Sequence, residues 1–452
     1  MTGLFFVTLD LHKLMCYVKC MNTRYGGREC PKPQRNNRKT IKTSPVKVFV
    51  LTLLGVLLIG SIVIVCISLP KYIKTHGSEG LNIVAYVEAI PETLTAENPK
   101  VLGANTPREK YADLLSDPER MKAEYVFKKK AASKDVVTLG FTGDILFDDE
   151  YAVMASIKQK GGAIETSIGP ELISLMQSRD IMVVNNEFPY TERGTRTPEK
   201  TYTFRADYAT AGYLNTLGVD AAILANNHVL DFGQVGLDDT LTTLTSVGVV
   251  PMGAGHNIEE ASRVTYFVAN DIKIGIVAAT QIERNDRPDT IGATETSGGT
   301  FRCWTGDLIY QKIAEAKANA DFVIVCVHWG TEKENQPDYY QTTQGPLLAA
   351  AGADLIVGDH PHILQGFTYF GDTPCIYSMG NFLFNSATID TGILNVSIDK
   401  NGLKSLQFIP AVQSKMTTTM AIGKDYSRII NSMRKLSPGV TIDDDGFVYK
   451  NF

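Results

Sequence analysis

Seven short apolar runs rich in β-branched residues, at 136–142, 181–185, 221–225, 272–278, 322–327, 355–357 and 375–378, are what most restricts the fold of this chain. Amphipathic stretches at 171–177, 208–217, 234–246, 307–318 and 343–351 lie between them. Runs that stay apolar on both faces, alternating with helical patterns, predict an α/β domain with much parallel sheet buried between helix layers. Two later runs, 393–398 and 403–409, flank Asn401-Gly402 and predict an antiparallel hairpin. Beyond 412 the sequence turns polar, with Asp443-Asp444-Asp445-Gly446, and predicts a loosely packed tail over 413–452.

Six of the seven runs give way within two residues to glycine, asparagine, aspartate or histidine. In order these are Gly143-Asp144, Asn186-Glu187, Asn226-Asn227-His228, His328, Gly358-Asp359-His360-Pro361-His362 and Gly380-Asn381. The carboxyl ends of parallel strands share one edge, so these groups converge although they are far apart in sequence. Carboxylate, amide oxygen and imidazole together suit zinc, manganese or iron better than magnesium or calcium, which prefer shells of oxygen alone. No thiolate joins the set. The expected cofactor is one or two divalent transition-metal ions. With two, a bridging hydroxide can attack phosphorus in line. His256, after Gly253-Ala254-Gly255, reads as a loop residue near the rim, and Asp231 as a cap for the helix beginning near Gln234.

The ordered set Gly143-Asp144, Asn185-Asn186-Glu187, Ala225-Asn226-Asn227-His228 with Asp231-Phe232-Gly233, His328-Trp329-Gly330 with Glu332, His360-Pro361-His362 and Gly380-Asn381-Phe382 resembles the CapA family of capsule and poly-γ-glutamate biosynthesis proteins. That family is similar to the calcineurin-like metallophosphatases. The resemblance covers about 136–412 and implies a four-layer αββα metallophosphatase-like sandwich. It implies that Asp144 and His362 hold one metal, that Asn227, His328 and His360 hold the other, and that Glu187 bridges. His228 then takes the place of the histidine that protonates a leaving group or steadies the transition state. Asn186, Asp231, Trp329, Glu332 and Asn381 are expected around these, in a second shell or against substrate. Two positions depart from the pattern. Leu146 stands where metallophosphatases have a histidine, which the CapA branch generally lacks, and Asp359 stands where relatives usually have another histidine. The first departure leaves one metal short of a ligand.

Residues 48–69 read VFVLTLLGVLLIGSIVIVCISL, with no charge, where about 20 residues suffice to span a bilayer. The absence of a polar face predicts a single N-terminal transmembrane helix rather than a core helix. The length of the run and the lack of a small-residue cleavage pattern predict an uncleaved anchor. Before it, ten lysines and arginines stand against Asp10 and Glu29, which places 1–47 in the cytoplasm as a basic tail and everything after Pro70 outside the cell. Met21 is an alternative translation start. Residues 70–135, polar and containing Pro91, Pro99 and Pro107, predict a stalk before the domain at 136–412.

A formal charge of −5 argues against nucleic acid as a partner. The expected partners are the membrane bilayer, an anionic polymer or phosphorylated ligand, and membrane subunits of a polymer synthase. Seven cysteines form no disulfide framework: Cys16, Cys20, Cys30 and Cys66 lie in or before the apolar run, leaving the odd set Cys303, Cys326 and Cys375. The resemblance implies a membrane-anchored capsule biosynthesis or export protein. A metal-dependent phosphoesterase and a non-catalytic, polymer-binding scaffold are the alternatives.

Overall fold

The computed structural model describes residues 109–282, 290–304 and 306–451. The apolar run 48–69, the basic segment before it and the stalk up to 108 lie outside the described residues. Among the described residues no helix is long and apolar enough to cross a membrane.

Two mixed sheets stack face to face. One runs, edge to edge, through Val126–Lys128, Thr265–Ala269, Ile272–Thr280, Phe322–His328, Leu355–Asp359, Thr373–Ile376 and Phe367–Phe370. The other runs through Thr417–Met420, Gly402–Ser414, Ile389–Asp399, Val137–Ile145, Ile181–Asn186, Ala221–Ile223 and Val250–Met252, and Asn381–Leu383 pairs parallel to Val137–Ile145 off this path. The expected parallel order holds at the centre of both sheets. Ile272–Thr280, Phe322–His328, Leu355–Asp359 and Thr373–Ile376 are mutually parallel, as are Val137–Ile145, Ile181–Asn186, Ala221–Ile223 and Val250–Met252.

The period-2 alternation of strand side chains explains why these runs are apolar throughout. Ile274, Ile276, Ile324, Cys326 and Val357 point inward and meet Leu139, Phe141, Val183 and Ile223 of the opposite sheet. Their neighbours Val323, Val325, Val327 and Ile356 point outward and pack under helix residues Ile309, Ile313 and Leu348. On the other side, Met182, Val184 and Ala222 lie under Leu172, Met176, Leu237, Leu241 and Leu244. At about 1.5–3 kcal/mol for each large apolar side chain fully buried, these three clusters supply the driving force for the domain. The mixed sheets and their two helical flanks are consistent with the sandwich that the resemblance implies. Cys326 and Cys375 are buried, as expected, and Cys303 is buried as well.

The structure corrects four expectations. Residues 112–128, assigned to the stalk, belong to the domain. Helices Ala112–Leu115 and Pro118–Ala123 lead into Val126–Lys128, which pairs parallel with Thr265–Ala269, and Leu114 and Val126 are buried. Their charged neighbours face solvent and hid this short apolar pattern. The tail is likewise packed. Helix Gly423–Leu436 buries Ile429, Ile430 and Met433 on the inter-sheet core, and Val440–Ile442 pairs with Val448–Lys450 around the acidic turn. Third, strand Thr265–Ala269 was not expected; it forms a hairpin with Ile272–Thr280 through Asn270 and Asp271, both at positive φ, as a two-residue hairpin turn requires. Finally, the helix expected from 343 begins at Tyr339, because Asp338 and Gln341 form a capping box one turn earlier.

Candidate metal centre

The expected residues do converge on one edge. Asp144 is the penultimate residue of its strand, Glu187 follows Asn186, and His328 and Asp359 are the last residues of adjacent parallel strands. Asn381 pairs in register with Asp144. Two glycines permit these close approaches. A side chain at Gly143 would collide with the Gly380 carbonyl, and one at Gly358 with the Tyr377 carbonyl and the Trp329 indole.

Glu187, His328 and His360 bring one ligand atom each within 4.8 Å of one another, and so do Asp144, Glu187 and His362. Glu187 is common to both groups. In the first, His328 Nε2 lies 2.9 Å from Asn227 Oδ1, 3.1 Å from His360 Nδ1 and 3.5 Å from Glu187 Oε1. In the second, His362 Nδ1 lies 3.0 Å from Asp144 Oδ2 and 2.8 Å from Asn381 Oδ1. His360 and His362 both hold positive φ, 101° and 60°, a backbone region that costs a non-glycine residue on the order of 1–3 kcal/mol and that clusters at functional sites.

The electrostatics call for a cation. Glu187 is fully buried and neither of its carboxylate oxygens has a hydrogen-bond partner; Asp359 Oδ1 is also buried without one. An unpaired buried carboxylate is expensive. Desolvation, reinforced by the Asp144 charge, pushes the Glu187 carboxyl up to about 8. Burial likewise raises Asp359 well above the carboxylate range, with Asp144 and Glu187 adding to the effect. Desolvation pushes His328 down to about 3 and His360 well below its ordinary value, so both are neutral imidazoles with lone pairs to offer. His362 behaves oppositely. Desolvation opposes its charged form, but the Glu187 charge and the Asp144 hydrogen bond outweigh it and push the imidazole up to about 10. Desolvation also acts against the Asp144 anion, and the hydrogen bond and charge of His362 reverse it, leaving that carboxyl below its usual value.

These residues fit a divalent transition metal on three counts. They offer neutral imidazoles, an amide oxygen and carboxylates. The bridging carboxylate lacks donors. The 2.9–3.5 Å spacing around His328 brackets the roughly 3.3 Å between neighbouring ligands of a tetrahedral ion with bonds of about 2.0 Å. Asn227, His328, His360 and Glu187 would hold one ion, and Asp144, His362 and Glu187 a second. Bound there, a metal supplies Lewis acidity and lowers the pKa of coordinated water.

His228 stands beside this cluster. Its Nδ1 contacts Asp231 Oδ2 at 2.7 Å, its ring lies 4.2 Å from that of Phe204, and Nε2 faces Glu187 Oε1 at 4.0 Å. The imidazole is thus fixed with one nitrogen on a carboxylate and the other toward the centre, a geometry suited to moving a proton there. Burial holds it below its ordinary value, against Asp231.

One expected role changes. Asp231 does not cap the helix Gly233–Ser246, whose N-cap is Phe232 with no side-chain bond; it accepts instead from His228, from the Phe204 amide at 2.7 Å and from Lys200 Nζ at 2.6 Å. Trp329 touches no substrate-accessible surface. It is fully buried in the outer apolar cluster, and its indole N–H donates to the Tyr377 carbonyl at 2.9 Å.

Asn381 and Asn186 lie behind the cluster. The first contacts His362; the second donates to the Phe188 carbonyl at 2.7 Å and accepts on its own carbonyl from Asn226 at 3.0 Å. Glu332 is exposed on the rim of a cavity of about 390 Å³ that Asn227, Gln281, Trp304 and His360 also line. His256 is exposed and pairs with Glu260, away from the centre. Sequence reasoning quoted Asn185 within a motif but gave it no role; its amide donates to Asp144 Oδ1 at 2.7 Å, and Phe204 and Lys200 were missed outright. Asn185 ends an apolar run like the others and could have been read. Lys200 and Phe204 sit in a polar loop that carries no such signal.

A family model described as "Bacterial capsule synthesis protein PGA_cap" matches residues 138–386. The PGA biosynthesis protein CapA of Bacillus subtilis (strain 168) is 27% identical over 337 residues, 72% of this chain and 82% of that protein. The capsule biosynthesis protein CapA of Bacillus anthracis is 25% identical over 331 residues, 70% of this chain and 77% of that one. Among solved structures, a hypothetical protein from Thermus thermophilus has a TM-score of 0.38 at 13% identity, covering 61% of this chain and 100% of that one. The 5′-nucleotidase from Candida albicans has a TM-score of 0.32 at 11% identity, covering 63% and 53%. Both structural likenesses are too loose to bear on fold or chemistry.

Proposed function

Because this chain belongs to the bacterial capsule synthesis protein family PGA_cap, we propose that it serves the biosynthesis or export of a poly-γ-glutamate capsule from the outer face of the cell membrane. In this reading the apolar run 48–69 anchors the chain, 1–47 stays in the cytoplasm, and the sandwich works outside on an anionic polymer or a phosphorylated ligand beside membrane subunits of a synthase. The working centre is a divalent transition-metal site of one or two ions, manganese, zinc or iron. Its support is the pair of donor groups that share Glu187, whose two carboxylate oxygens are buried without hydrogen-bond partners.

The chemistry best served by this geometry is metal-dependent hydrolysis of a phosphoester, in a metallophosphatase-like manner. The observation in its favour is His228, held by Asp231 with Nε2 toward Glu187. Buried neutral imidazoles at His328 and His360 keep donor nitrogens in place, and His228 carries the proton. A non-catalytic scaffold would need the donors but not this fourth histidine.

Replacement of the chromosomal copy by one encoding Glu187→Gln tests the assignment in cells. Loss of surface polymer with normal protein level is expected. Polymer output equal to that of the parent would sink it.

A further inference from the structure

Lys200 is the one lysine of the described loop 194–203, and its side chain is 7% exposed. Burying an ammonium costs several kcal/mol unless its protons are bonded. Lys200 Nζ donates to Asp231 Oδ1 at 2.6 Å and to the backbone carbonyl of Asn227. The other Asp231 oxygen, Oδ2, is taken by His228 Nδ1 and the Phe204 amide. These two partners of Lys200 lead to different parts of the centre. Through Asp231 it reaches the His228 ring, and through the Asn227 main chain it reaches the residue whose Oδ1 meets His328 Nε2 at 2.9 Å.

The loop that bears Lys200 is tied to the same segment at both ends. The Thr197 amide donates to the Asp231 carbonyl at 2.8 Å, and the Phe204 ring lies against His228. Carboxylate, imidazole and metal-donor amide are thus assembled on one loop, 226–231, and clamped from outside by another.

We propose that Lys200 is a positioning residue: by bridging Asp231 to the Asn227 carbonyl, its ammonium sets the proton-carrying His228 and the amide donor Asn227 in one register. The proposal rests on the reading of His228 and Asn227 given above. A lysine that only neutralised Asp231 would leave the metal donors untouched. This one ties the two halves of the site together, so its removal disturbs both.

The test uses the full-length protein with ¹⁵N-labelled histidine, as parent and as Lys200→Met. In the parent the His228 ring is expected to show a proton fixed on Nδ1, and manganese alone is titrated to give a dissociation constant. In Lys200→Met the His228 ring signals are expected to shift toward a mixture of tautomers, and manganese affinity to fall about 10- to 100-fold, the range for groups that orient metal ligands. If Lys200→Met does not fold because the buried Asp231 charge has lost its cation, the same two readings are made on Lys200→Gln, which keeps Asp231 and a polar donor but carries no ammonium. The proposal stands only if both readings move in the folded variant; either one remaining at its parent value overturns it. Neither reading involves turnover. A parent that hydrolyses no phosphoester would therefore refute the hydrolytic reading while leaving the result on Lys200 intact.

Discussion

Glu187 Oε1 lies 3.5 Å from His328 Nε2 in a fully buried setting, yet neither Glu187 oxygen has a hydrogen-bond donor. Burial keeps His328 neutral to about pH 3 and keeps the Glu187 proton to about pH 8. Neither group is charged at pH 7, the imidazole for want of a proton and the carboxyl for keeping one, and both become ligands once the carboxyl proton leaves. A divalent cation engages both at once.

Replacing Glu187 by glutamine should therefore separate stability from binding. The metal-free variant is expected to melt close to the parent temperature at pH 7, where the buried Glu187 carboxyl is already protonated, and above it at pH 9, where the parent must hold an unpaired carboxylate. Excess manganese should raise the melting point of the parent by the equivalent of about 2.7 kcal/mol at one hundred times its dissociation constant. The variant should lose that rise. Calorimetry with and without metal measures both.

For His228→Ala, hydrolysis of an aryl phosphate by the manganese-loaded protein should fall by about 10²- to 10⁴-fold, as for loss of a proton-transfer group. Bound manganese per chain should stay at the parent value, because no expected ligand is removed. Equal rates would remove His228 from the chemistry.

Binding should strengthen with alkalinity. Glu187 is raised from 4.5 to about 8 and His362 from 6.5 to about 10, so at pH 7 the metal-free centre holds protons that a cation displaces. Manganese affinity is expected to climb between pH 7 and 9, with proton release on binding. The same shifts bear on the metal-free fold. Both folded values are raised, so their stabilisation is complete below the unfolded values and disappears as pH climbs through about 8 and about 10. Metal-free melting points should fall over that window, and a flat profile would contradict the assignment.

Much of this centre was legible because its members end apolar runs. Asp144, Glu187, His328 and His360 are placed by strands whose uninterrupted Val, Ile and Leu content signals a doubly covered sheet, and the topology then brings them together. Lys200 was not legible, since its role depends on where a polar loop folds back, and nothing in Thr197-Pro198-Glu199-Lys200 encodes that locally. Asp231 was misread for a related reason. Its position before a helix suggests a cap, but a nearby imidazole and ammonium offer stronger, charge-assisted partners. The packed C-terminal helix escaped notice because Ile429, Ile430 and Met433 form a narrow apolar stripe in a strongly polar segment.

Gly358→Ala probes the scaffold rather than the ligands. The added methyl would meet the Tyr377 carbonyl and the Trp329 indole, which are hydrogen-bonded to each other, and no flexible side chain is there to yield. Overpacking of this kind costs about 1–3 kcal/mol. The variant should melt lower than the parent, and manganese binding should weaken as His360 is displaced two residues on.

The hydrogen bond between Asp144 and His362 joins residues 218 positions apart. Each half of the cluster joins residues far apart in the chain, Glu187 to His360 and Asp144 to His362, so no short fragment contains a complete set of donors. Loops of that length close late and at an entropic cost that only the packed sheets repay. Asp144 and Glu187 come from one sheet and His328, His360 and His362 follow strands of the other, so the donors meet only once the two sheets have stacked, and an ion bound there would report that assembly.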